Sequence, residues 1–468
     1  MSQEVTHFDL AVIGGGPGGY ASALYASAAG LEVALVEMSK VGGTCLHVGC
    51  IPAKELLETA SVMRTVQHAA EFGVVTEQPK LDLHKIMERK QRVIDQLTAG
   101  VEGLLDRRKV NVFNGIGKML PNKEISVQAA EGETTRIAAD YVVLASGSKP
   151  RTIPGLEIDG TTILTSDELL SIQDIPESVA IIGGGAIGVE FASALNDFGS
   201  SVTVIEALPD ILPGCDKDLS KVVSRSFKKR GIGILTGTTV NGHVIDGNRV
   251  NLHLDEAELD VEKVVVSIGR RPFADLLSLE NTAVEVDSRG FVSVDDLCRT
   301  SEDGVYAIGD LIDTPQLAHV AFAEAIAVIK DICGEPVTPV DYAKVPWAIY
   351  CHPEVAFAGL TEEQAKEAGY DVEVSKHRFS GNGRAMIVGE TEGLVKVVAE
   401  KSQNGQSGQI LGVHMVGPWV TEQIGQGYLA INWEATVEDI AEFIQPHPTM
   451  SELFGETVLA LTGRALHG

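Results

Sequence analysis

Cys45 and Cys50 stand in the run Gly42-Gly43-Thr44-Cys45-Leu46-His47-Val48-Gly49-Cys50-Ile51-Pro52-Ala53-Lys54, the part of this chain best equipped for chemistry. On an ideal α-helix their Cα atoms would lie roughly 8 to 9 Å apart, beyond the reach of a disulfide. The backbone must therefore bend between them. Pro52 supplies the means, because inside a helix it removes one hydrogen bond and clashes with the carbonyl of Val48, and in a first turn it starts the helix instead. Either arrangement leaves Cys50 near unsatisfied amides, whose partial positive charge favours a thiolate. The pair reads as a redox-active disulfide. Spacing alone leaves two other readings open, a pair of buried structural thiols and half of a metal site.

The pair follows a nucleotide-binding pattern. Phe8-Asp9-Leu10-Ala11-Val12-Ile13 is a short apolar strand that runs into Gly14-x-Gly16-x-x-Gly19, then a helical stretch and a second strand ending in Glu37. Glycine at the first position permits a tight turn, at the second it lets a pyrophosphate reach the backbone, and at the third it lets helix and strand pack closely. The free amides of the helix N-terminus bind phosphate, and Glu37 is spaced to hydrogen-bond a ribose diol. The same grammar returns in Val179-Ala180-Ile181-Ile182, Gly183-x-Gly185-x-x-Gly188 and a strand ending in Glu206, which follows Gly183 by 23 residues as Glu37 follows Gly14. Two nucleotides are expected, the first a flavin beside the cysteines. Glu206 would accept a free 2′-hydroxyl and repel a 2′-phosphate, so the second site should take NAD over NADP.

Composition narrows the class. With 468 residues and 44% hydrophobic content, the chain has room for about three ordinary globular domains. A formal charge of −28 argues against nucleic acid or an anionic membrane as partner and favours a basic protein surface. Six cysteines without a regular framework of spacings point to a reducing compartment. No charged-then-apolar leader is visible before the first strand and no apolar run has the ~18 residues of a membrane span, so a cytoplasmic bacterial protein or a processed organelle protein is expected.

Taken together, the chain resembles the flavoprotein disulfide reductases, most closely their dihydrolipoamide dehydrogenase branch, over essentially its whole length. Beside the two glycine fingerprints and the cysteine pair, the matching segments are Val143–Pro150 with Gly147, Ser267–Pro272 with Gly269, and Gly304–Asp310. The resemblance implies FAD and NAD as cofactors, and Asp310 as the acid that holds the ribityl and phosphate region of FAD. It implies Lys54 and Glu190 as the charged pair beside the flavin ring. In His447-Pro448-Thr449-Met450-Ser451-Glu452 it implies His447 as the active-site base and Glu452 as its orienting carboxylate. A histidine suits that task because it titrates near neutrality and a carboxylate on its far nitrogen selects the tautomer. In the family this histidine serves the cysteines of the other subunit, so a homodimer is implied.

By the same resemblance, Cys45 faces substrate and Cys50 the flavin. The reaction implied is oxidation of dihydrolipoamide on a lipoyl domain with reduction of NAD, in 2-oxoacid dehydrogenase complexes or glycine cleavage. A basic docking module on the acyltransferase core of such a complex is the implied partner. Glutathione and mycothione reductases, and a scaffold or redox-sensing subunit without turnover, are the alternatives. The chain departs from the family at His47, where asparagine is common, and at Ala53, where serine or threonine is common.

The expected fold is α/β, with two Rossmann-like nucleotide-binding domains and a C-terminal α+β dimerisation domain. Residues 1–149 would form the FAD unit, including an amphipathic helical stretch from Leu81 to Arg108, and 150–275 the NAD unit. Residues 276–344 would return to complete the FAD site, and 345–468 would form the interface module. In that module, strands are expected near 393–400 and 409–416, joined by a turn at Gly405-Gln406-Ser407-Gly408. Cys215, Cys298, Cys333 and Cys351 are single and scattered, and Cys351-His352 reads as structural for want of further ligands at metal spacing.

Overall fold

A computed structural model describes residues 5–401 and 408–467. The apolar run at the start of the chain forms the strand Thr6–Ile13, whose second half is almost wholly buried. A strand covered on both faces reads as a continuous apolar run, and parallel pairing requires that cover. It lies between Val33–Glu37 and Thr134–Leu144, parallel to both. Chain connections therefore leave its C-terminal end in opposite directions, which opens a crevice just where Gly14 follows. Val305–Ala307 adds in parallel to Thr134–Leu144, and Asp310, just beyond it, lines the same cavity as the first glycine turn.

The second unit repeats this plan. Ser178–Ile182 lies between Ser201–Glu206 and Lys263–Val266, all parallel, and again a glycine turn begins at the crevice end. The two units meet through the helices Cys50–Gln67 and Ala186–Asp197. The charged helical stretch forms Leu83–Arg107, with Ile86 and Ile94 buried and its polar face outward.

The remaining strands build an antiparallel sheet ordered Trp347–Ile349, Glu354–Gly359, Ile410–Gly417, Leu394–Glu400 and Val372–Arg378 among the described residues. The helices Val420–Asn432 and Glu452–Leu461 pack on it and share its apolar cluster. The two strands expected here pair with each other; residues 405–407 of the expected turn lie outside the described residues. Trp433, Phe443 and Ile444 of this module are exposed. Among the described residues, no helix is long and apolar enough to cross a membrane.

Candidate active site

Each glycine fingerprint becomes a tight turn at a helix N-terminus. Gly14 adopts φ +105° and Gly183 φ +106°, a region that side chains rarely enter. A Cβ on Gly19 would stand 1.7 Å from the Gly14 carbonyl oxygen, and one on Gly188 would stand 1.9 Å from that of Gly183. Gly16 and Gly185 precede the helices Pro17–Ala28 and Ala186–Asp197 as their N-caps, and neither has a side-chain cap. Their leading amides are thus left for a ligand.

The two acids behave alike. The Gly15 amide donates to Glu37 Oε2 at 2.7 Å and the Ser39 amide to Oε1 at 2.7 Å. In the second unit, the amides of Gly184 and Leu208 donate to the two oxygens of Glu206 at 2.7 and 2.8 Å. Both carboxylates are therefore held rigidly by backbone while still lining the cavity. Sequence reading assigned them only to ribose and missed this clamp, which their recurrence at one spacing could have signalled.

The cysteine segment bends as required. It forms a short helix, Gly43–His47, and a second helix, Cys50–Gln67, separated at Val48 and Gly49. Pro52 takes the first-turn option. Gly42 and Gly43 both have positive φ, and a Cβ on Gly43 would lie 2.6 Å from Gly16 Cα. The Gly42 amide also donates to the Gly15 carbonyl at 2.8 Å, so the cysteine segment is laid directly on the first glycine turn. Both cysteines are free thiols, and both line the cavity beside the first glycine turn. The hydrogen bond from Cys45 and the nearby Lys54 ammonium bring Cys50 down to about 7, against the opposing effect of burial. Cys45 is pushed well above the ordinary thiol range, first by that same hydrogen bond and then by burial. Of the two, Cys50 is the more acidic.

Lys54 Nζ donates to both oxygens of Glu190, at 3.0 and 2.9 Å, linking the two helices that join the nucleotide units. Burial works against the Lys54 charge, but Glu190 more than offsets it and the ammonium is held above its ordinary range. Asp310 accepts a hydrogen bond from the Ser148 hydroxyl. The residue before it, Gly309, has φ +67° and donates its amide to Glu324 Oε2 at 2.6 Å. Glu324 is fully buried, and Thr314 and Tyr342 hydroxyls donate to its other oxygen. It holds the Asp310 turn in place and was not found from sequence, since nothing local marks a helix glutamate as buried. Gly147 and Gly269 take positive φ in turns that line the same cavity.

The cavity measures about 1450 Å³ and is lined by both glycine turns, Cys45, Cys50, Lys54, Glu190 and Asp310. Single-ligand pockets run to about 1,000 Å³, so the space accommodates more than one such ligand. His447 does not line it. Its side chain is 79% exposed, with Nδ1 2.7 Å from Glu452 Oε1, and the Thr449 amide donates to Glu452 Oε2 at 2.7 Å. Within one chain, then, the histidine–glutamate pair is assembled but stands apart from the cysteines. Of the two departures, His47 places Nε2 2.8 Å from the Val41 carbonyl, and Ala53 is buried against the apolar cluster of the second unit.

Residues 8–325 match the pyridine nucleotide-disulphide oxidoreductase family and residues 345–458 its dimerisation domain, and the chain belongs to that family. Among its relatives, the dihydrolipoyl dehydrogenase of Bacillus subtilis is 43% identical, over 99% of both chains. That of Zymomonas mobilis is 41% identical, over 98% of this chain and 99% of the relative. Among solved structures, LpdA from Mycobacterium tuberculosis superposes with a TM-score of 0.91 at 25% identity, over 98% of this chain and 100% of the other. The chain is an oxidoreductase with FAD and NAD as cofactors. Its residues fit two such nucleotides, because each glycine turn leaves open, at a helix N-terminus, the space that a Cβ would close. Gly19→Ala is accordingly expected to lose most of its flavin, read from visible absorbance, and to lower stability by about 1–3 kcal/mol. Gly100→Ala, at a helical position open to solvent, is expected to retain it.

Proposed function

We propose that the chain oxidises dihydrolipoyl groups carried on a lipoyl domain and reduces NAD, serving 2-oxoacid dehydrogenase complexes or glycine cleavage. The observation that carries this reading is the Cys45–Cys50 pair, placed together in the cavity that both glycine turns also line. In the working cycle the pair begins as a disulfide. A substrate thiol gives its proton to Nε2 of His447 of the partner subunit, whose Nδ1 is engaged by a carboxylate. The substrate sulfur attacks Cys45 Sγ, breaking the Cys45–Cys50 bond and releasing Cys50 as a thiolate beside Lys54. The imidazolium gives its proton to the departing Cys45 sulfur and takes that of the second substrate thiol, whose sulfur attacks the first substrate sulfur. That closes the lipoyl ring and returns Cys45 Sγ as a thiol, so two electrons have moved from substrate to the cysteine pair. Bound FAD would relay that electron pair to NAD.

His447 lies outside the cavity of its own chain, and the exposed Trp433, Phe443 and Ile444 lie close to it in sequence. Both features favour a homodimer with composite sites. The separate sheets favour division into an FAD unit (1–149), an NAD unit (150–275), a central segment (276–344) and an interface module (345–468). The charge of −28 suits a basic docking surface on an acyltransferase core, and a cytoplasmic location accords with the sparse cysteines.

The test is turnover of the purified flavoprotein with dihydrolipoamide, glutathione disulfide and mycothione disulfide, each with NAD(H) and NADP(H). Dihydrolipoamide with NAD is expected to be the fastest pair. Faster turnover with NADP would overturn the reading of Glu206, preference for another disulfide would overturn the substrate, and inertness toward all three would favour a scaffold.

A further inference from the structure

Tyr350 stands at the edge of the site, contributed by the segment that matches the dimerisation domain. It immediately follows the strand Trp347–Ile349. Its backbone amide donates to Glu190 Oε1 at 2.9 Å, and Lys54 Nζ lies 5.1 Å from the centre of its ring. The ring packs beside Leu57, Ala60 and Ala194, on the two helices that carry Lys54 and Glu190. An ammonium within about 6 Å of an aromatic face is attracted by the ring's quadrupole, more strongly where water is excluded. Lys54 is thus held from two sides, by a carboxylate of the second nucleotide unit and by a ring of the interface module.

We propose that Tyr350 is a positioning residue that holds the Lys54 ammonium on the Cys50 side of the helix they share, so that the interface module shapes the surroundings of the inner thiol. The groups facing Cys50 are Cys45 on the short helix, Lys54 on its own helix, Glu190 on Ala186–Asp197 and Tyr20 on Pro17–Ala28. Among these Lys54 carries the positive charge. Its flexible stem has many rotamers, and Glu190 alone restrains only the direction of the donors. The ring blocks the alternatives. Glu354 and Glu422 are the other acids that act on Tyr350.

The test is the rate of alkylation of Cys50 by iodoacetamide as a function of pH, read by mass spectrometry of the peptide that contains it. It uses the flavin-loaded Cys45→Ser protein, in which no disulfide can form and a hydroxyl still donates to Cys50. Tyr350→Leu, and Tyr350→Met as a second apolar change nearer in volume, are expected to raise the alkylation midpoint by about half a pH unit or more. Tyr350→Phe, which keeps the ring and loses the hydroxyl, is expected to leave it in place. An unmoved midpoint in the Leu and Met proteins would overturn the proposal, as would an equal shift in the Phe protein. The backbone amide to Glu190 is common to all three, so that hydrogen bond cannot account for a difference. The inference rests on the proposed role of Cys50 as the inner thiol, yet alkylation is read without dihydrolipoamide or NAD. Either can therefore fail while the other stands.

Discussion

Cys45→Ser lowers dihydrolipoamide-dependent reduction of NAD by about 10⁴-fold or more, the scale on which loss of a covalent partner acts, while the protein keeps its flavin. The expectation follows from the division of labour between the sulfurs. Cys50 is the more acidic of the two thiols and Cys45 the less acidic. A disulfide opened at Cys45 therefore leaves the better-stabilised anion as the departing sulfur, which is the favoured direction of thiol exchange. Serine retains a hydroxyl that can donate to Cys50 and is close in volume, so the Gly42–Gly43 contact with the first glycine turn is undisturbed. Flavin content by visible absorbance and reduction of the bound flavin by NADH should both persist. Undiminished lipoamide-dependent turnover in this variant would remove the dithiol from the mechanism.

His447→Gln should lower the same reaction by about 10²–10⁴-fold near neutral pH, the range typical of a positioned acid or base. The loss should shrink as pH rises toward the ordinary thiol range of about 8.5, where substrate thiols ionise unaided. Glu452→Gln should give a smaller loss, because it leaves the imidazole in place and removes only the charge 2.7 Å from Nδ1. Since His447 lies outside the cavity of its own chain, the geometry also predicts complementation. Mixed dimers of Cys45→Ser and His447→Gln chains should regain up to half the wild-type activity per dimer, because one of the two composite sites is then intact. Wild-type turnover by His447→Gln at pH 7, or a deficit equal at every pH, would count against its role as base.

The parts of this architecture legible from sequence are those imposed by short-range backbone demands. A buried parallel strand must be continuously apolar, a sharp turn onto a helix must be glycine, and an acid must recur at one spacing beyond it; all three conditions are met twice. The break between Cys45 and Cys50 was readable for the same reason, since helical geometry forbids their contact and Pro52 offers an alternative. His447 and Glu452 are five residues apart and meet through a local turn.

Contacts between distant segments left no comparable trace. Lys54 and Glu190 are separated by 136 residues, and their pairing depends on how two helices from different nucleotide units cross. Resemblance to a family named that pair; periodicity could not. Glu324 looks like any helix glutamate until folding buries it under Gly309, and Tyr350 acquires its place beside Lys54 only when the interface module docks. Local sequence specifies conformation, because φ, ψ and burial of a short segment depend mainly on its own residues. The electrostatic surroundings of the thiols depend on which remote charges are brought within a few ångströms, and that is settled by packing between modules.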